Sequence, residues 1–140
     1  MEQESLSTYL QQRHQDAIIG RKQKDESRQM DMRMFMHHIY EFKKGVRNLI
    51  LCTMSNTCAQ FVIKRLEQQQ IAYLEQKVTD QKINLYFGKK ACLDTVRTFM
   101  NKPLNLLTPE EDFILGAMLG YDITMQCERF CNKKGLEVVV

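Results

Sequence analysis

Residues 107–131 read LTPEEDFILGAMLGYDITMQCERFC, a helical hairpin written out with its starts and its stop. Thr108 is placed to N-cap a helix, Pro109 suits a first helical position that needs no N–H donor, and Glu111 completes a capping box with Thr108. Glu110, Glu111 and Asp112 crowd the first turn, where the helix dipole favours negative charge. Helix initiation therefore accounts for all three acids without a catalytic cluster. Phe113, Ile114, Leu115, Ala117, Met118 and Leu119 spread round more than one face, which implies a largely buried helix. Gly120 stands where a left-handed cap ends it. Asp122 then caps a second helix that carries Ile123, Gln126, Cys127 and Phe130 at helical spacing.

Outward from the hairpin, composition bounds what the chain is. With 140 residues, 44% of them hydrophobic, it has enough apolar material for one domain with its own core. Five cysteines, an odd number without regular spacing, suit a reducing cytoplasm better than a disulfide framework. The N-terminus shows no apolar signal region and no run approaches a membrane span, so a cytoplasmic location without membrane insertion is expected. The net charge of +3 is too small and too scattered for a nucleic-acid interface.

Residues 1–33 are rich in Gln and in balanced charge, with too few apolar residues for a periodic face, and read as a flexible or partly helical arm. From 34 to 135 a single α+β domain is expected, with 136–140 as a tail. Met34–Phe42 (MFMHHIYEF) reads as a strand, and Lys43-Lys44-Gly45 as the turn after it. Val46–Thr53 is a second strand whose Leu49–Cys52 centre suits burial on both faces. Ser55-Asn56-Thr57 caps a helix to about Gln69 with Cys58, Val62 and Leu66 on its stripe. Strands follow at Ile71–Val78 and Ile83–Phe87, then a helix from about Lys89 to Met100. The expected order is ββαββα, a small mostly antiparallel sheet packed with helices and closed by the C-terminal hairpin. A possible ββα pseudo-repeat matches Leu49, Leu51, Cys58, Val62 and Leu66 to Ile83, Leu85, Cys92, Val96 and Met100.

Candidate chemistry is thin. His37 and His38 are adjacent, and in a strand they point to opposite faces, so a shared ion is disfavoured. Cys127 and Cys131 lie one helical turn apart but supply only half of a thiolate site. These four are the weak metal candidates, against a default of structural histidines and packed thiols. Cys58 and Cys92 fall near helix starts, and Lys89 and Lys90 beside Cys92 make it the weak nucleophile candidate. The better reading is a cysteine packed under its own helix. Lys43, Lys44, Arg47, Lys89 and Lys90, with Lys64 and Arg65, suggest a basic face at the strand ends, against a plainer reading as solvated turns. Neither lysine pair matches a P-loop or a dinucleotide turn. No cofactor is expected.

Three phrases, MHHIYEFKKGVRNLILCT, LYFGKKACLDTVRTF and LTPEEDFILGAMLGYDITMQCERFC, together resemble a small bacterial family named domain of unknown function two thousand and twenty-three. The resemblance spans about residues 34–131. It implies a compact mixed α/β homodimer, brings no catalytic residues to carry over, and is associated with genes near flavodoxin. The expected function is therefore a non-enzymatic cytoplasmic binding or accessory module, a homodimer with an acidic protein such as flavodoxin as possible partner. The alternative is a small thiol- or metal-dependent protein using Cys92 or a cluster of His37, His38, Cys127 and Cys131.

Overall fold

The computed structural model describes residues 21–136, with side chains from residue 32 onward. Residues 1–20 of the expected arm and 137–140 of the expected tail lie outside the described residues. Helix α1 (Arg21–Lys43) leads into strand β1 (Leu49–Ser55) and helix α2 (Asn56–Gln68). Strands β2 (Tyr73–Lys77) and β3 (Lys82–Gly88) form a hairpin, followed by α3 (Lys90–Arg97). A short 3-10 turn (Leu104–Leu106) precedes α4 (Pro109–Met118) and α5 (Ile123–Lys134). The three strands are antiparallel in the order β1-β3-β2. The α+β class, the small antiparallel sheet and the closing helical hairpin are as the sequence implies.

One element differs in type. Met34–Phe42 is the last part of α1, so the first ββα unit lacks its leading strand and the pseudo-repeat reduces to two strand–helix pairs. The reason lies in the spacing of what is buried. Phe35, His38 and Ile39 are buried and Phe42 half-buried, a helical i, i+3, i+4, i+7 stripe. Phe35 and Phe42 both meet Phe87 edge-on, with ring centroids 5.6 and 6.5 Å apart. Aromatic and β-branched content favours a strand only weakly, and a packing stripe overrides it. Gly45 then ends this helix with a left-handed residue: its N–H bonds Phe42 O, and the Val46 N–H bonds Glu41 O.

Each face of the sheet has its own core. On one, α1 and α2 cover Ile50, Cys52, Ile83, Leu85 and Phe87 with Phe35, Ile39, Cys58, Val62 and Leu66. On the other, α3 and α4 cover Leu49, Leu51 and Tyr86 with Leu93, Val96, Phe99, Leu115 and Leu119. The Leu49–Cys52 run is buried on both faces, as its composition requires. Ser55 caps α2 by accepting from the Cys58 N–H.

The C-terminal hairpin has the expected caps. Thr108 and Glu111 form the capping box, and Asp122 accepts from the Met125 N–H. Gly120 (φ 81°) closes α4 while Tyr121 N–H reaches Gly116 O, a bond that only a left-handed residue in between permits. Burial is less than expected. Leu115, Gly116 and Leu119 are buried, but Ile114 is 41% exposed and Ile123 56%. The cause is placement: α4 lies on the sheet by one stripe, and α5 packs on α4, through Phe113 against Phe130 and Asp112 against Arg129.

Candidate functional site

The two lysine pairs, distant in sequence, stand near the same end of the sheet. Lys43 and Lys44 close α1, where positive charge complements the helix dipole. Lys43 Nζ bonds Gln69 Oε1, and Lys44 Nζ lies over the Tyr40 ring, 5.6 Å from its centroid. On the neighbouring strand, Gly88 pairs with Leu49, and any Cβ at Gly88 would run into the Asn48 carbonyl oxygen. Glycine is what lets β3 and the α1–β1 loop come this close. The Lys89 N–H then donates to Asn48 O at 2.9 Å. Lys89 also N-caps α3 without a side-chain bond, and Lys89 and Lys90 are both exposed.

Among the described residues, Lys43, Lys44, Lys89 and Lys90 have no carboxylate partner. The hairpin is the opposite case. Lys102 meets Glu111 at 2.5 Å, Lys134 meets Glu110 at 2.7 Å, and Arg129 and Lys133 both meet Asp112. Burial alone would raise the Asp112 carboxyl, but Arg129 and Lys133 outweigh it and hold it below the usual range. The bond from Lys102 lowers Glu111, and the bond from Lys134 lowers Glu110. These three acids brace the hairpin, as their helix-start positions suggested.

Arg47 is not part of the basic surface. It is 8% exposed, and its Nη1 stands 3.1 Å from Nδ1 of buried His38. His37 points elsewhere, exposed, with Nε2 2.7 Å from Glu41. Neighbours on a helix diverge by about 100°, so the pair is as unsuited to one ion as it would be in a strand. Cys127 is exposed and Cys131 half-buried on α5. Among the described residues no three His, Cys, Asp or Glu side chains lie together as a metal site. Cys92 is half-buried against the α3–α4 core, and Cys58 is fully under α2.

Two features escaped the sequence reading. The first is a polar row across the sheet: Thr53 Oγ1 donates to Asn84 Oδ1 (2.7 Å), and Asn84 Nδ2 to Gln76 Oε1 (3.1 Å). Tyr86 also donates to Gln76 Oε1, and Gln76 Nε2 donates to the Met100 and Lys102 carbonyls. Burial pushes the Tyr86 hydroxyl well above its ordinary range, which keeps it a donor. The signal was present in Asn84, an amide inside the apolar run Ile83–Phe87. The second is a groove of about 610 Å³ between β1 and the hairpin, lined by Leu51, Thr53, Leu115, Met125, Gln126 and Arg129 among others. A neighbouring cleft of about 650 Å³ runs from Thr53 over Gln76 and Asn84 to Lys102.

These observations define a small α+β protein with helices on both faces of a three-stranded sheet and a basic sheet end. Residues 33–133 match the family described as protein of unknown function (DUF2023), and the chain belongs to it. No curated protein matches the chain. Among the described residues no helix is long and apolar enough to cross a membrane.

Proposed function

We propose that the chain is a non-enzymatic, homodimeric binding or accessory module whose basic sheet end docks an acidic protein. A flavodoxin is the specific partner to test. The supporting observation is the contrast in neutralisation. Lys102, Lys133 and Lys134 each hold a carboxylate of the hairpin, whereas Lys44, Lys89 and Lys90 are exposed near one sheet end and, among the described residues, hold none. Exposed lysines without carboxylate partners leave a positive potential that an acidic partner neutralises.

The test is binding of a purified flavodoxin measured by calorimetry at two salt concentrations. Affinity is expected to fall severalfold between about 50 and about 300 mM salt, as screening shortens the reach of exposed charges. The triple variant Lys44→Glu, Lys89→Glu, Lys90→Glu should abolish binding with an unchanged circular dichroism spectrum. Binding indifferent to salt, or no binding by the wild type, removes the flavodoxin reading.

A further inference from the structure

We infer that β1 is the edge at which two copies of this chain join into one continuous sheet. The inference rests on the homodimer reading above and adds where the contact lies. Among the described residues β1 is an edge strand, paired with β3 alone. Lys89 N–H to Asn48 O and Asn56 N–H to Gln81 O place the ladder bonds at even positions of the β1 segment. The backbone groups of Leu51 and Thr53 therefore point away from β3. Among the described residues they meet no backbone partner on that side.

An unpaired edge is ordinarily blunted by charge, proline or a bulge. β2, the other edge, carries Glu75 and Lys77. β1 is LILCTMS, with no charge and no proline, and it pairs with β3 residue for residue. Its Leu49–Cys52 centre is already covered on both faces by the helices, so what a further strand could pair with is the edge backbone of Leu51 and Thr53. Alongside it runs the groove of about 610 Å³. Because α5 packs on α4, its Met125, Gln126 and Arg129 overhang this groove as a roof. The groove lining is mixed: Leu115, Leu119 and the half-exposed Met125 are apolar, while Glu128, Arg129 and Lys133 supply charge.

The occupant must be an extended segment with an open edge of its own, and β1 itself fits that description. A two-fold axis normal to the sheet sets β1 antiparallel to its copy, so one patch serves both sides, as an isologous contact requires. The result is a six-stranded sheet in the order β2-β3-β1-β1-β3-β2, with each α5 roofing the other protomer's strand. The roof extends the contact beyond the strand, which an interface of about 800 Å² per partner needs.

The test uses Thr53, whose N–H faces outward and takes no part in the β3 ladder. Thr53→Pro deletes that donor. Thr53→Val keeps it and loses only the hydroxyl bond to Asn84. Light scattering on the full chain should give twice 16.6 kDa for wild type and Thr53→Val. Thr53→Pro should be monomeric with wild-type circular dichroism, its dissociation constant raised roughly a hundredfold or more. Amide exchange supplies a readout that needs no variant: Leu51 and Thr53 should be protected in the dimer and exchange quickly on dilution. A monomeric wild type overturns both the homodimer reading and this interface. A dimeric wild type overturns the interface alone if Thr53→Pro also dimerises, or if those amides exchange quickly in the dimer. Protection that persists in the dilute monomer also overturns it, by showing the edge covered within one chain.

Discussion

Arg47 donates from its guanidinium to Nδ1 of His38 across 3.1 Å, with both side chains buried. A guanidinium has only donors, so Nδ1 accepts and the neutral ring carries its proton on Nε2. That Nε2 is buried and, among the described residues, without a partner. Burial first, then the charges of Arg47 and His37, lower the His38 pKa from 6.5 to about 4. The unfolded chain therefore takes up a proton below about pH 6.5 that the folded chain refuses until about pH 4. The contribution of His38 is fully present above pH 6.5 and is lost as pH falls through that window, on the order of 3 kcal/mol in all. Urea unfolding at about pH 7, 5.5 and 4 should show the midpoint falling. His38→Gln, which keeps an acceptor for Arg47 but cannot titrate, should flatten that slope. A wild-type midpoint that is level across the window contradicts the assignment.

Gln76 ties three elements together, accepting from Asn84 and Tyr86 and donating to the carbonyls of Met100 and Lys102. Gln76→Leu would leave buried donors and carbonyls unsatisfied at once. At about 1–3 kcal/mol for each group left without a partner, a loss of at least roughly 3 kcal/mol is expected. Tyr86→Phe removes a donor while Gln76 Oε1 keeps Asn84, and should cost about 1 kcal/mol. Equal losses in the two variants would mean that the segment after α3 is not held by Gln76.

Local grammar carried the C-terminal hairpin in the sequence because capping is decided by neighbours: Thr108, Glu111, Gly120 and Asp122 each act within one turn. Ser55 and the stripe Cys58, Val62, Leu66 were legible for the same reason. Met34–Phe42 was not, because its residue types suit either state and the deciding fact is a long-range contact, Phe35 and Phe42 on Phe87. The lysines were legible as positions near strand ends. Their place near one sheet end depends on β1 pairing with β3, with Gly88 passing close to Asn48, a relation that no local pattern encodes. Arg47 looks like a surface residue in the sequence because nothing nearby marks His38 as its buried acceptor.

Gln70 is left-handed (φ 57°) where it ends α2, with the Ile71 N–H bonded to Leu66 O. A side chain resists this conformation and glycine does not. Gln70→Gly should stabilise the protein by about 0.5 kcal/mol, part of the gain being offset by the looser unfolded chain. Thermal unfolding reads it directly, and a lower midpoint would count against the cap.

Gly116 of α4 is seated against Gln126 of α5, and a Cβ at Gly116 would collide with the Gln126 side-chain oxygen. Both residues are buried, so the amide cannot simply swing into solvent. Gly116→Ala should therefore destabilise by about 1–3 kcal/mol despite the better helix propensity of alanine. Gln126→Ala creates the space that the added methyl needs. In a double-mutant cycle the pair should be non-additive, with Gln126→Ala recovering on the order of 1 kcal/mol of the Gly116→Ala loss. Additive losses would mean that the hairpin relieves the collision by shifting α5 rather than holding it. In that case the roof over the β1 groove is movable, and the strand-edge contact would have to form against a helix that yields.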